Sequence, residues 1–248
     1  MANELDAQTV RVAPHGWVRV DLGLFAESAP PSSQELGAWF DPKDSRWGAT
    51  AVSEGGRSAA WFLQIRGVRA VLRHYRRGGW AAKLLRSGYV WTGLSKTRAF
   101  EEFDLLALMY RAGLPVPQPI AARVQKRGVL YEAALLTVRI PDAQPLARVT
   151  DPELWAQAGR EIARMHAFGV WHADLNVYNI MVDVDNRIWL IDFDRSRHIP
   201  VNDGLRAENL SRLLRSVRKV VPQQEHLSWP ALNRAYQHAW LGFNEHME

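Results

Sequence analysis

The sequence predicts an α+β fold in two parts, a β-rich part reaching to about Thr137 and a mainly helical part beyond it. Three observations carry this prediction. Short apolar and aromatic runs on either side of Arg66-Gly67 have the pattern of a β-hairpin. Apolar residues recur at helical spacing over Thr97–Ala112 and again after Asp151. From about Gly204 onward the pattern is helical throughout. A length of 248 residues suits one large domain or two lobes sharing one fold.

Residues 1–50 are expected as an N-terminal lead-in, because Pro30, Pro31, Ser32 and Ser33, followed by Ser53, Glu54, Gly55 and Gly56, give 26–58 the composition of turns. The β-rich lobe is expected over 51–137. Within it, AAWFLQI (59–65) and VRAVLRHY (68–75) form the hairpin. Phe100, Phe103, Leu105, Leu106, Leu108 and Met109 then mark a helix, which Gly113 and Pro115 stop. Prolines at 115, 117 and 119 keep helix out of 114–120, and VLYEAALLTVRI (129–140) reads as a β-rich pair. The helical lobe, 138–248, opens on Asp151 as N-cap, Pro152 at the first helical position and Glu153 beside the positive helix end. That helix places Leu154, Ala158, Ile162 and Met165 on one face and ends near Gly169. Two short strands follow, at 180–182 and 188–191, joined by a turn that Asp183 and Asp185 cap.

The chain has no cysteine, which excludes a disulfide scaffold, a Cys-ligated zinc or iron–sulfur site and any thiol nucleophile. Glu4, Asp6, Arg11, Arg19 and Asp21 leave no apolar signal-peptide region, and no run of about 18 apolar residues offers a membrane span. The expectation is a cytoplasmic protein that touches a membrane surface. Lysine and arginine total 31 against 26 acidic residues, and arginine supplies most of the excess in clusters. Guanidinium forks suit phosphate and carboxylate, so the composition points to an anionic partner. No recognisable nucleic-acid-reading module accompanies the arginines, and no nucleic-acid partner is expected.

The chemistry concentrates in residues 171–194, WHADLNVYNIMVDVDNRIWLIDFD. Asp174 and Asn179 lie five apart in a loop between helix and hairpin, and Asp192 follows the second apolar strand. A hairpin this short returns Asp192 to the neighbourhood of Asn179. A carboxylate and an amide oxygen make a hard, oxygen-only site suited to magnesium, which completes its shell with water and substrate phosphates. Asp174, outside that shell, is then the base for an incoming hydroxyl. These are the requirements of phosphoryl transfer. His172 is read as a buried residue holding the loop by hydrogen bonds.

The string M-H-x-x-G-V-x-H-x-D-L-x-x-x-N (165–179), followed by a hairpin and Asp192-Phe193-Asp194, resembles the H-R-D-L-x-x-x-N and D-F-G motifs of the protein-kinase-like superfamily. The resemblance implies a protein-kinase-like bilobal fold. It further implies that Gly55, Gly56, Arg57 and Ser58 cover the triphosphate, and that Ala70-Val71-Leu72-Arg73 stands for the V-A-I-K strand, with arginine for lysine. Glu101 or Glu102 would be the acidic partner of Arg73; Glu102 is favoured because Phe103 and Leu106 must face inward. Lys83 and Lys96 are the alternative cations. Ala173, Asp194 and the lack of an A-P-E sequence depart from the general pattern and favour a non-protein acceptor.

More narrowly, VLRHYRRGGW (71–80), Trp91-Thr92-Gly93, Thr97-Arg98, Leu114-Pro115-Val116-Pro117 and the WHADLN and IDFD stretches resemble the lipopolysaccharide core kinases that act on 3-deoxy-D-manno-octulosonic acid (Kdo). The resemblance spans roughly 50–220. It implies ATP, magnesium, phosphorylation of the 4-hydroxyl of Kdo on a Kdo-lipid A acceptor, and a peripheral position on the cytoplasmic face of the inner membrane. A heptose kinase, an atypical protein kinase or an ATP-binding pseudokinase scaffold are the alternatives. Arg195 and Arg197, just past Asp192, are expected to pair with a sugar carboxylate. In 204–221, Leu210, Leu213, Leu214, Val217 and Val221 share an apolar face, and Arg212, Arg215 and Lys219 share a basic one that can meet anionic lipid.

Overall fold

The computed structural model describes residues 7–52, 60–75 and 88–244. The chain divides into two compact units, residues 1–111 with 118–139 and residues 112–117 with 140–248.

The first unit is built on one antiparallel sheet. Its strands are β1 (Ala7–Ala13), β2 (Gly16–Asp21), β3 (Thr50–Ala51), β4 (Ala60–Ile65), β5 (Val68–His74), β6 (Tyr89–Val90), β7 (Pro119–Arg127) and β8 (Leu130–Val138). The order across the sheet is β1-β2-β7-β8-β5-β4-β3, with β6 paired to the start of β8. Helix α1 (Ser33–Ala38) packs on β1, and α2 (Arg98–Arg111) lies against β7 and β8. The β4–β5 hairpin turns at Arg66-Gly67, where both residues have positive φ. That geometry carries Arg73 into β5.

Two expectations need correction here. Residues 7–51 are no loose lead-in: β1 and β2 extend the sheet, and Val18, Val20, Phe25, Leu36, Trp39 and Phe40 are buried in its core. Polar side chains of this segment act as local caps. The Asp21 carboxylate accepts from Gly23 N–H, the Ser32 hydroxyl from Glu35 N–H and the Asp44 carboxylate from Arg46 N–H, each opening a short helical turn. Segment 129–140 is a single strand, β8, and its partner β7 begins within the proline-rich stretch, at Pro119. Proline at the first strand position loses no ladder bond that the sheet requires.

The second unit contains β9 (Gln144–Pro145), α3 (Pro152–Ala167), β10 (Val170–Trp171), β11 (Ile180–Val182), β12 (Ile188–Leu190), β13 (Arg197–His198), α4 (Asp203–Val220), α5 (Gln224–Leu227) and α6 (Trp229–Asn244). The Asp151 carboxylate accepts from Glu153 N–H at 2.9 Å and starts α3. Gly169, at φ 83°, ends it in the left-handed conformation that glycine adopts without a Cβ clash. Helices α3 and α6 pack so closely that a Cβ at Gly159 would lie 2.2 Å from the Leu232 carbonyl oxygen. Full burial of Ile162 and Met165 on α3 contributes about 1.5–3 kcal/mol each. On α4, Leu213 and Val217 are fully buried on the expected apolar face. Residues 112–117 belong with this unit: Leu190 N–H donates to the Pro115 carbonyl at 2.8 Å, tethering the end of β12.

Candidate active site

The loop from His172 to Asn179 leaves β10, which pairs with β13 only through Val170 and Trp171. A pairing this short does not orient a loop by itself. Buried side chains do so. His172 is inaccessible to solvent, and its Nε2 faces the Ile191 carbonyl at 3.1 Å while its Nδ1 accepts from Asp174 N–H at 3.1 Å. A carbonyl only accepts, so the proton sits on Nε2 and the ring is neutral. Burial pushes the imidazole below its usual range, which fits that state.

Asn209, fully buried on α4, brackets the same residue. Its Oδ1 accepts from His172 N–H at 3.1 Å and its Nδ2 donates to the His172 carbonyl at 2.8 Å. The His166 ring lies behind, with Nε2 3.1 Å from Asn209 Oδ1 and Nδ1 2.8 Å from the Tyr236 hydroxyl. Burial lowers the His166 pKa to about 4, so this ring too is neutral. Arg206 Nε donates to the Tyr236 hydroxyl at 2.8 Å and closes the chain of bonds. The Phe193 ring packs 4.6 Å from that of His172, and Leu175 and Val177 are buried on either side of the turn.

This scaffold leaves Asp174 open. Its side chain is 62% exposed, the Asn176 amide donates to its Oδ2 at 3.2 Å, and Arg212 Nη1 stands 3.6 Å from its Oδ1. Asn179 Nδ2 donates to the Asp174 carbonyl at 2.9 Å, which ties the two loop residues together. Ile191 N–H donates to the Asn179 carbonyl at 3.0 Å, so Asp192 is the residue next to that link. Asp192 has φ 63° and Arg195 φ 64°, left-handed backbone that turns the chain sharply after β12. Asp174, Asn179 and Asp192 therefore meet in one loop cluster. Asp183, by contrast, is buried and saturated, accepting from Asp185 N–H and Arg187 N–H at 2.9 Å each and from Trp189 Nε1 at 2.8 Å.

In the first unit, Arg73 Nη2 donates to both Glu102 oxygens, at 2.5 and 2.6 Å. Glu102 is 3% exposed, and the Tyr75 hydroxyl donates to its Oε2. Arg73 also lies 5.0 Å from the centre of the Tyr75 ring. Glu101 points to solvent, because Phe100, Phe103 and Leu106 take the inward face of α2. Lys96 is exposed. Gly55, Gly56, Arg57, Ser58 and Lys83 lie outside the described residues. Arg195 and Arg197 are exposed.

Tyr75, His166, Asn209, Arg212 and Tyr236 went unassigned to the site from sequence. For Asn209 a signal existed: it precedes Leu213 and Val217 by one and two helical turns, so it is a polar residue on a buried face. His166 shares the apolar side of α3 with Ile162 and carries the same signal. Arg212 and Tyr75 carry none.

Among known proteins, the family model described as lipopolysaccharide kinase (Kdo/WaaP) family matches residues 45–236. A protein of Vibrio cholerae serotype O1 named 3-deoxy-D-manno-octulosonic acid kinase is 41% identical over 200 residues, covering 77% of this chain and 84% of the relative. Proteins of the same name from Stenotrophomonas maltophilia and Xylella fastidiosa (strain 9a5c) are 43% and 45% identical, over 81% and 78% of this chain and 84% and 82% of theirs. The solved structure of WaaP in complex with acyl carrier protein shares the fold at TM-score 0.51 and 14% identity, over 86% of this chain and 94% of that one. With a kinase-like fold, the family match and the named relatives define a phosphotransferase with an alcohol group as acceptor. The chain belongs to the lipopolysaccharide kinase (Kdo/WaaP) family.

Proposed function

We propose that this enzyme transfers the γ-phosphoryl group of ATP to the 4-hydroxyl of Kdo on Kdo-lipid A during lipopolysaccharide core assembly. The observation that carries the reading is the loop cluster: a solvent-open Asp174 fixed through its backbone, linked by Asn179 to the residue preceding Asp192. The 41–45% identity to proteins named for Kdo phosphorylation supports the acceptor.

Each residue then has one task. Asp174 accepts the proton of the attacking hydroxyl and orients its oxygen toward the phosphorus. Asn179 and Asp192 offer one amide and one carboxylate oxygen, a donor set that fits magnesium; these two would hold the ion, whose charge offsets that of the triphosphate. Arg73, aimed by Glu102, contacts nucleotide phosphates, and Gly55, Gly56, Arg57 and Ser58 cover them. Rate comes from positioning and charge neutralisation.

Among the described residues no helix is long and apolar enough to cross a membrane. Access to a lipid acceptor at the cytoplasmic face of the inner membrane would instead use the exposed cations of α4, Arg215, Arg218 and Lys219. The test is transfer of label from γ-labelled ATP to purified Kdo-lipid A, with mapping of the phosphorylated hydroxyl. Label on the Kdo 4-hydroxyl supports the reading. Label only on heptosylated core or on protein, or none at all, overturns it.

A further inference from the structure

Arg212 occupies an unusual electrostatic position. It projects from α4 beside Asp174, with its Nη1 3.6 Å from Asp174 Oδ1 and its Nη2 3.9 Å from Glu208 Oε1. Both separations exceed hydrogen-bonding distance, and its Nε is buried without a partner. A guanidinium carries five N–H donors in a rigid fork. Among the described residues none of the five is engaged in a hydrogen bond, and the side chain is 37% exposed. A buried donor of a charged group normally has its partner, and Arg212 Nε has none. Arg218 on the same helix shows the ordinary arrangement, with Nε donating to Glu225 at 2.7 Å. Arg212 is held by charge beside the base while its fork stays open.

The side of the reaction on which it stands follows from the geometry of transfer. Attacking and leaving oxygens lie on opposite sides of the phosphorus, so a cation beside the base that holds the attacking hydroxyl lies nearer the acceptor than the leaving diphosphate. An acceptor hydroxyl must come within about 2.6–3.2 Å of the Asp174 carboxylate. An anionic group of the acceptor on the Arg212 side of that hydroxyl then meets Arg212. A fork of this shape pairs with a carboxylate through two parallel hydrogen bonds.

We infer that Arg212 is the specificity-determining residue that binds the carboxylate of an acidic sugar acceptor and thereby seats its hydroxyl on Asp174. The inference rests on the proposed reading of Asp174 as the base and replaces the expectation that Arg195 and Arg197, both solvent-exposed, take this role.

The test compares Kdo-lipid A with the same acceptor carrying its sugar carboxylate as a methyl ester. Wild-type enzyme, Arg212→Gln, Arg212→Lys and Arg234→Gln, which removes an exposed charge elsewhere in the same unit, are assayed on both. On the acid, Arg212→Gln should raise the acceptor KM about 10- to 100-fold, with the KM for ATP within about two-fold of wild type. Arg212→Lys should recover part of the loss, and Arg234→Gln should show none. On the ester, wild type should fall to the level of Arg212→Gln, and the variant should lose nothing further. An equal penalty for Arg212→Gln on acid and ester overturns the inference while leaving the base assignment standing. A rise in the ATP KM instead assigns the fork to the triphosphate. A fall in kcat with unchanged acceptor KM assigns it to orienting the Asp174 carboxylate; either result overturns the inference. Absence of wild-type turnover on the acid overturns the functional reading and this inference together.

Discussion

In the second unit Asp174 is oriented through its own backbone by neutral buried groups, His172 and behind it Asn209, His166 and Tyr236. In the first unit Arg73 is held side chain to side chain by the buried carboxylate of Glu102, itself capped by the Tyr75 hydroxyl. The difference follows from what each residue is assigned to do. A base must keep its carboxylate free for a hydroxyl, so its support has to act from behind through amide bonds that leave the side chain open. The cation proposed for phosphates is gripped instead by its side chain, through one nitrogen of its fork. One arrangement should therefore fail when a neutral hydrogen-bond partner is removed or protonated. The other should fail when a charge is removed.

The sharpest test of this contrast is Asp174→Asn. It keeps the shape of the loop and removes the proposed base, so kcat should fall by about 10²- to 10⁴-fold with nucleotide affinity and thermal stability nearly unchanged. Parallel loss of stability would mean that the carboxylate supports the loop as well. Next in size is Asn209→Ala, which strips the His172 N–H and carbonyl of their partner in a fully buried setting. Unmet buried backbone groups cost about 1–3 kcal/mol each, so chemical denaturation should show a loss of about 3 kcal/mol. Turnover should fall along with it. If kcat survived intact in the folded variant, the bracketing of His172 would be irrelevant to Asp174.

Glu102→Ala tests the charge-held site. It removes the carboxylate that faces Arg73, whose side chain is 22% exposed and can turn toward water. The expected loss is about 2–3 kcal/mol, below the range for a fully enclosed pair, with a raised KM for ATP. An unchanged KM with lower stability would make the pair purely structural.

Acidification separates the two arrangements by a smaller margin. His166 titrates near 6.5 when unfolded and about 4 when folded, so between these values the unfolded chain takes up a proton that the native ring refuses. Stability is complete above pH 6.5, declines as pH falls and levels off below about 4. From pH 7 to 5 the decline from His166 alone is about 2 kcal/mol. His172, lowered in the same direction, adds to it. Denaturation midpoints across that range should show this slope, and His166→Gln should flatten it. A slope of the same size in the variant would place the proton uptake elsewhere.

Much of this site is local and was legible for that reason. Asp174, Asn179 and Asp192 fall within nineteen consecutive residues whose apolar and polar alternation already encodes loop, strand, turn and strand. The helix that carries Glu102 showed which glutamate faces inward, because its apolar neighbours allow one answer. The Arg73–Glu102 contact was reached through resemblance to a motif, since nothing periodic links residues 29 apart. The N-terminal segment was misread for a physical reason of the same kind. Its Ser, Pro and Asp residues look identical whether they loosen a linker or cap short turns, and only the burial of Trp39 and Phe40 under the sheet separates the two.

The sequence by itself determined the start and stop of the helix after Asp151, the β4–β5 hairpin and which residues are candidates for the reactive groups, because capping, periodicity and motif spacing operate over a few residues. The tertiary structure alone decided that Asn209 brackets His172 across 37 residues, that Tyr75 reaches Glu102 across 27, and that Arg212 stands beside Asp174. Contacts of that kind arise when separate elements bury their apolar faces against one another. The polar side chains that come together there carry no local pattern that announces the meeting.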